Sequence, residues 1–149
     1  MKISAFLTQS PIFTVSWAAR QFENHLTRLF HTNDLNFLQA LILVSILFEE
    51  PKKVTPSQLA MVLITSRGNI SHNISALEAN GLVMRRIDPN DARAYHLLLK
   101  PRGKQVAMQV IRTLHQMQNS LEKNLGTAKI ASALDVIRQI EEACSLYGR

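Results

Sequence analysis

Cysteine is almost missing from this chain: Cys144 is the one example in 149 residues. That excludes an internal disulfide framework and suits a reducing cytoplasm. It also excludes any zinc site that draws two or more thiolates from one chain. Long hydrophobic runs are missing as well. The longest, Ala40 to Phe48, is broken by Ser45 and falls far short of the roughly 18 residues that cross a bilayer, so it predicts a buried helix. Near the start, Thr8, Gln9 and Ser10 interrupt any signal-peptide core, so secretion is not expected and a cytoplasmic location is. No Gly-rich phosphate loop, nucleophile elbow or H-E-x-x-H occurs. The five histidines (His25, His31, His72, His96 and His115) are scattered. His25 and His31, with Glu23, stay open as a metal site shared across a dimer, against the plainer role of surface or packed side chains. An enzyme is therefore not expected, and neither a catalytic residue, a cofactor, a metal nor a membrane partner is assigned.

Acidic residues fail to balance basic ones in one place only. The net charge is +6, and residues 52–104 carry nine Lys and Arg against Glu78, Asp88 and Asp91, which is the whole excess. The flanks nearly balance, at −1 over residues 1–51 and +1 over residues 105–149. A basic segment between neutral flanks points to a polyanionic partner bound by the middle of the chain.

Apolar residues make up 46% of the chain, enough for a packed core. Ser10-Pro11 predicts a helix start, followed by a stripe at Val15, Ala18, Ala19, Phe22, Leu26, Leu29 and Phe30. Asn36 with Gln39 reads as a capping box opening a second helix to Phe48, apolar nearly all round. Thr55-Pro56-Ser57-Gln58 opens a third, short helix ending near Leu63. A fourth is expected from about Arg67 to Asn80, closed by Gly81. Leu82–Ile87 and Tyr95–Leu99 read as strands around the turn formers Asp88-Pro89-Asn90-Asp91. Pro101 begins a long helix, Gly126-Thr127 breaks it, and a last helix carries Ile130, Leu134, Ile137, Ile140 and Cys144 on one face.

Short helix, turn, helix, hairpin is the order of a winged helix-turn-helix, whose second helix enters the major groove. Within residues 67–80, Ile70, Ile74 and Leu77 share the inward face. Arg67, Asn69, Ser71, His72, Asn73 and Ser75 are then expected outward or on the flanks, with Glu78 the only acid. Arg and Asn are the side chains that address guanine and adenine edges. Gly68, in the first turn, lets a phosphate or base approach the backbone beside a helix N-terminus that favours anions.

From Thr55 to Lys104 the chain resembles the multiple-antibiotic-resistance regulator (MarR) family of bacterial transcription factors. The resemblance is carried by Leu59-Ala60, Leu77-Glu78, Gly81-Leu82-Val83, the run from Arg85 to Ala94, and Leu99 with Gly103. Its most specific part is the Asp-Pro-x-Asp-x-Arg sequence ending at Arg93. It implies a homodimer held by the first and last two helices, a pseudo-palindromic double-stranded DNA operator, and a small aromatic or phenolic effector. It also implies that Arg93 enters the minor groove and that Asp91 holds the wing arginine; a turn-stabilising ion pair of small value is the lesser alternative for the two residues. Two features depart from the family: Lys100-Pro101 replaces the usual capping Thr, and Ala92 stands where a second arginine is common.

The expected architecture is mainly α with a small β-hairpin wing, a winged helix-turn-helix module flanked by dimerisation helices. Residues 36–104 are assigned to DNA binding, and 1–35 with 105–149 to dimerisation. The DNA-binding set is Arg67, Asn69, Ser71, His72, Asn73, Asp91, Arg93 and Lys104. A ligand-responsive repressor is the expected function. A winged helix used for protein contact and a redox sensor built on Cys144 are the alternatives. Phe13, Trp17 and Phe22 fit either an effector cavity or ordinary core packing.

Overall fold

The computed structural model describes residues 2–31, 34–88 and 91–147, with all their side chains except those of 2, 88 and 91–94. Its elements run α1 (Lys2–Gln9), α2 (Pro11–Phe30), α3 (Phe37–Glu49), α4 (Pro56–Val62), α5 (Arg67–Ala79), β1 (Val83–Asp88), β2 (Asp91–Leu99), α6 (Pro101–Leu125) and α7 (Thr127–Ser145). The architecture is mostly helical with one antiparallel hairpin, as the sequence predicts. The additional element is α1. Ile3, Phe6 and Leu7 stand at i, i+3 and i+4 there, a helical period too short to claim attention beside the stronger start at Ser10-Pro11.

The caps explain where the central helices begin. Asn36 Oδ1 accepts from the Gln39 N–H at 2.8 Å while Gln39 Oε1 accepts from the Asn36 N–H at 3.0 Å. Thr55 and Gln58 repeat this reciprocal pair at the start of α4. Each box satisfies two backbone donors that a helix end otherwise strands. After α5, Gly81 takes φ +69, the left-handed conformation that glycine adopts without Cβ strain.

The chain forms two compact units. The central unit, residues 26–113, has a closed interior. Ile42, Leu43, Ile70, Ile74, Leu77 and Val83 are fully buried, joined by Leu59, Leu97 and Val110. Each such aliphatic side chain contributes about 1.5–3 kcal/mol by leaving water. The hairpin pairs Val83 with Leu99 through Ile87 with Tyr95 and shifts register between Ile87 and Asp88. Val54 adds a bridge to Leu97, whose N–H donates to the Val54 carbonyl at 2.9 Å. Gly103 is demanded by packing, since a Cβ there would overlap the Leu82 carbonyl. That carbonyl also accepts from the Lys100 N–H at 2.9 Å.

The terminal unit combines residues 1–25 and 114–149. None of its described residues is buried, although its helices carry the apolar stripes read from the sequence. Phe6, Trp17, Phe22 and Leu146 are each more than half exposed, and Cys144 is partly covered. Two open clefts mark its surface. One of about 650 Å³ is bordered by Val15, Val136, Ile137 and Ile140. One of about 420 Å³ is bordered by Leu7, Phe13 and Trp17; Phe22 lies outside both. Among the described residues, no helix is long and apolar enough to cross a membrane.

Candidate nucleic-acid interface

The candidate surface starts at the turn between α4 and α5. Ser66 caps α5, its Oγ accepting from the Asn69 N–H at 3.1 Å. The first turn of α5 holds no acid, so the positive pole of the helix is uncompensated by its own side chains. Arg67, Gly68, Asn69 and His72 are exposed, and Ser71 is partly covered. At Gly68 an added Cβ would meet nothing nearer than Ser66 Oγ, at 3.9 Å. The fold itself therefore does not require glycine there, unlike Gly103.

Asn73 departs from expectation. Its position on the helix predicts an outward or flanking side chain available to DNA, but only 4% of it is exposed. Its Nδ2 donates to the Asn69 carbonyl at 2.9 Å and to Asn69 Oδ1 at 3.1 Å, and its Oδ1 accepts from Asn36 Nδ2 at 2.9 Å. The reason is packing: Asn73 adjoins Ile74 and lies one turn beyond Ile70, so the N-terminal end of α3 covers this side of α5. Its amide stays inside because both Nδ2 hydrogens and the Oδ1 acceptor find partners within the protein. Asn69 Nδ2 in turn donates to Thr65 Oγ1 at 3.0 Å. Neither Asn36 nor Thr65 figured in the predicted site. Thr65 had a signal in the recurrence of small polar residues at positions 65, 69 and 73, one stripe at helical spacing, whereas Asn36 signalled only its helix cap.

Glu78, the one acid of α5, is engaged by the hairpin. Its Oε2 lies 3.4 Å from Arg85 Nη1, and its Oε1 accepts from the Arg85 N–H at 3.3 Å. Arg85 Nη2 donates to Ser75 Oγ at 2.8 Å, and the guanidinium lies 5.2 Å from the centre of the Tyr95 ring. Arg85 is thus a brace between α5 and the hairpin, and it neutralises the only negative charge on the helix. Arg86, next along β1, is exposed.

Lys104, predicted as a phosphate contact, forms an ion pair with Glu50, Nζ to Oε2 at 2.6 Å, with 45% of its side chain still accessible. Asp91 and Arg93 lie on β2, but their side chains fall outside the described residues, as do Pro89 and Asn90 entirely. Among the described residues no group of three or more His, Cys, Asp or Glu gathers to hold a metal ion.

Comparison with known proteins agrees with this geometry. Residues 35–95 match the sequence profile of the MarR family. A curated relative, the transcriptional repressor MprA of Escherichia coli (strain K12), is 25% identical over 113 residues, covering 76% of this chain. The match spans 64% of that relative's length. Among solved structures, a MarR family transcription regulator superposes with a TM-score of 0.82 at 18% identity, covering 99% of this chain and 97% of the other. MepR of S. aureus, in a complex with DNA, superposes with a TM-score of 0.81 at 14% identity, covering 90% of this chain and 98% of the other. At those identities the two structures establish the fold.

Proposed function

Because residues 35–95 of this chain match the MarR family, we propose that the protein is a cytoplasmic transcriptional repressor that binds a pseudo-palindromic double-stranded DNA operator as a homodimer. The relatives support this reading: one is named a transcriptional repressor, and another was solved with DNA. Its role is regulatory rather than enzymatic. The observation that carries it is the outward face of α5, where Arg67, Asn69 and His72 are exposed and the only acid, Glu78, is held by Arg85.

In this reading residues 36–104 bind DNA, and residues 1–35 with 105–149 dimerise. The α5 helix lies in the major groove, which admits one helix. Arg67 and Asn69 address base edges, and Ser71 and His72 reach bases or phosphates. The hairpin runs beside the groove with Arg93 directed to the minor groove and Asp91 bracing it. Lys104 contacts phosphate by exchanging its Glu50 partner. Asn73 leaves the contact set, since its amide is already committed. The uncovered stripes of α1, α2, α6 and α7 face a second copy. A small aromatic or phenolic effector acts at the terminal unit, where Phe13 and Trp17 border an apolar cleft.

The test is binding of wild type and Arg67→Ala to selected and scrambled duplexes across a salt series, with and without a simple hydroxybenzoate. Arg67→Ala should lose about 1–3 kcal/mol on the selected duplex and far less on the scrambled one. Equal loss on both would remove α5 as the reader. Light scattering should give about twice the 16.8 kDa chain mass; a monomer at assay concentration would remove the dimer. Binding unchanged by hydroxybenzoates would remove that effector class.

A further inference from the structure

The amides of Asn36, Asn73 and Asn69 form a chain whose direction is set at both ends. At one end Asn36 Oδ1 caps α3 by accepting from the Gln39 N–H, a group that only donates. Asn36 therefore turns its Nδ2 toward Asn73, whose Oδ1 accepts at 2.9 Å. That leaves Asn73 Nδ2 to face Asn69, where the main-chain carbonyl only accepts. Asn69 consequently presents Oδ1 to Asn73 and Nδ2 to Thr65 Oγ1. Reversing any one amide would set oxygen against oxygen or N–H against N–H at Asn73, the one buried member of the chain.

An asparagine amide has two lone pairs on oxygen and two hydrogens on nitrogen. Asn69 uses one of each inside the protein, so one acceptor and one donor remain on an exposed residue. That remaining pair matches adenine, which offers the N7 acceptor and the N6 donor in the major groove. We propose that Asn36 and Asn73 are positioning residues that preset the Asn69 amide for an adenine edge. The proposal rests on α5 being the DNA reader. A free amide on an exposed helix samples both orientations and loses rotamer freedom on binding; an amide held at both atoms is already ordered when the base arrives. Asn73 thereby acts on sequence preference without touching DNA.

The experiment selects duplexes from a randomised pool with the wild-type protein and then measures affinity for every single-base-pair substitution of the winner. Asn69→Ala should erase about tenfold of discrimination at one adenine in each half-site. Asn36→Ser keeps a capping oxygen for α3 but has no amide hydrogen for Asn73; it should relax the same base pair and no other. The double variant should lose no more than Asn69→Ala alone, since both act through one contact. Thr65→Val, which removes the other anchor at a partly exposed position, should relax that base pair too and guards against misfolding of the Asn36 variant. Unchanged discrimination in a folded Asn36→Ser protein, or losses that multiply in the double variant, would overturn the positioning role. Failure of the wild type to enrich any sequence would instead overturn the DNA-reading function itself.

Discussion

The central unit buries Ile42, Leu43, Ile70, Ile74 and Leu77 completely, whereas the terminal unit leaves Phe6 at 67%, Phe22 at 65% and Trp17 at 56% exposed. Both are built of amphipathic helices with apolar stripes of the same kind. The difference is that α3, α4, α5 and the hairpin close around one another, while α7 has no buried residue at all. A stripe states that a face must be covered; it does not state by what. In the central unit the cover is intramolecular. In the terminal unit the proposed cover is a second copy, and stability there becomes a function of concentration.

The sharpest way to test the closed character of the central unit is Gly103→Ala. The added methyl meets the Leu82 carbonyl, backbone that cannot swing aside, so a loss of about 4 kcal/mol or more is expected. Urea unfolding measures it; a shift near zero would mean that the start of α6 yields easily and the interior is looser than it looks.

The comparison between units is tested most directly by a matched pair of truncations. Ile74→Ala should lower stability by about 2–5 kcal/mol, by the same amount at every protein concentration. Ile137→Ala, at 43% exposure in the single chain, should act mainly through assembly, so that its effect on melting changes with dilution. If both variants behave alike across a hundredfold dilution, the contrast between a self-sufficient unit and a partner-dependent one fails.

Two smaller effects sharpen the DNA-facing side. Gly68 has no neighbour to accommodate, so Gly68→Ala should stabilise the fold by about 0.5–1 kcal/mol through helix propensity. The same change should weaken operator binding if DNA approaches the backbone at that turn; a stabilised protein with unaltered affinity would place DNA elsewhere. Lys104→Ala removes a half-exposed pair with Glu50 and should cost about 0–1 kcal/mol of stability. If Lys104 exchanges Glu50 for a phosphate, the salt slope of binding should also fall by about 0.9 for each phosphate no longer neutralised. An unchanged slope would leave Lys104 as a tie between α6 and the segment after α3, with no role on DNA.

Local chemistry was legible in the sequence wherever a signal is complete within a few residues. The boxes at Asn36–Gln39 and Thr55–Gln58, the left-handed Gly81, the inward Ile70, Ile74 and Leu77, and the helix-turn-helix-hairpin order all follow from spacing, because caps and periodicity are short-range. Arg67, Asn69 and His72 were placed outward by the same periodicity and are exposed. The burial of Asn73 was not legible: a polar side chain on the flank of a helix is outward or inward according to what packs beside it, and Asn36 lies 37 residues away. The Arg85–Glu78–Ser75 brace and the Lys104–Glu50 pair are hidden for the same reason, since a charge count registers each residue as free until folding supplies its partner. Composition and pattern thus determined which faces are apolar, where the helices begin and that the basic excess is central. Only the tertiary structure decided which polar groups are consumed internally, because hydrogen bonds between side chains depend on distances that the order of residues does not encode locally.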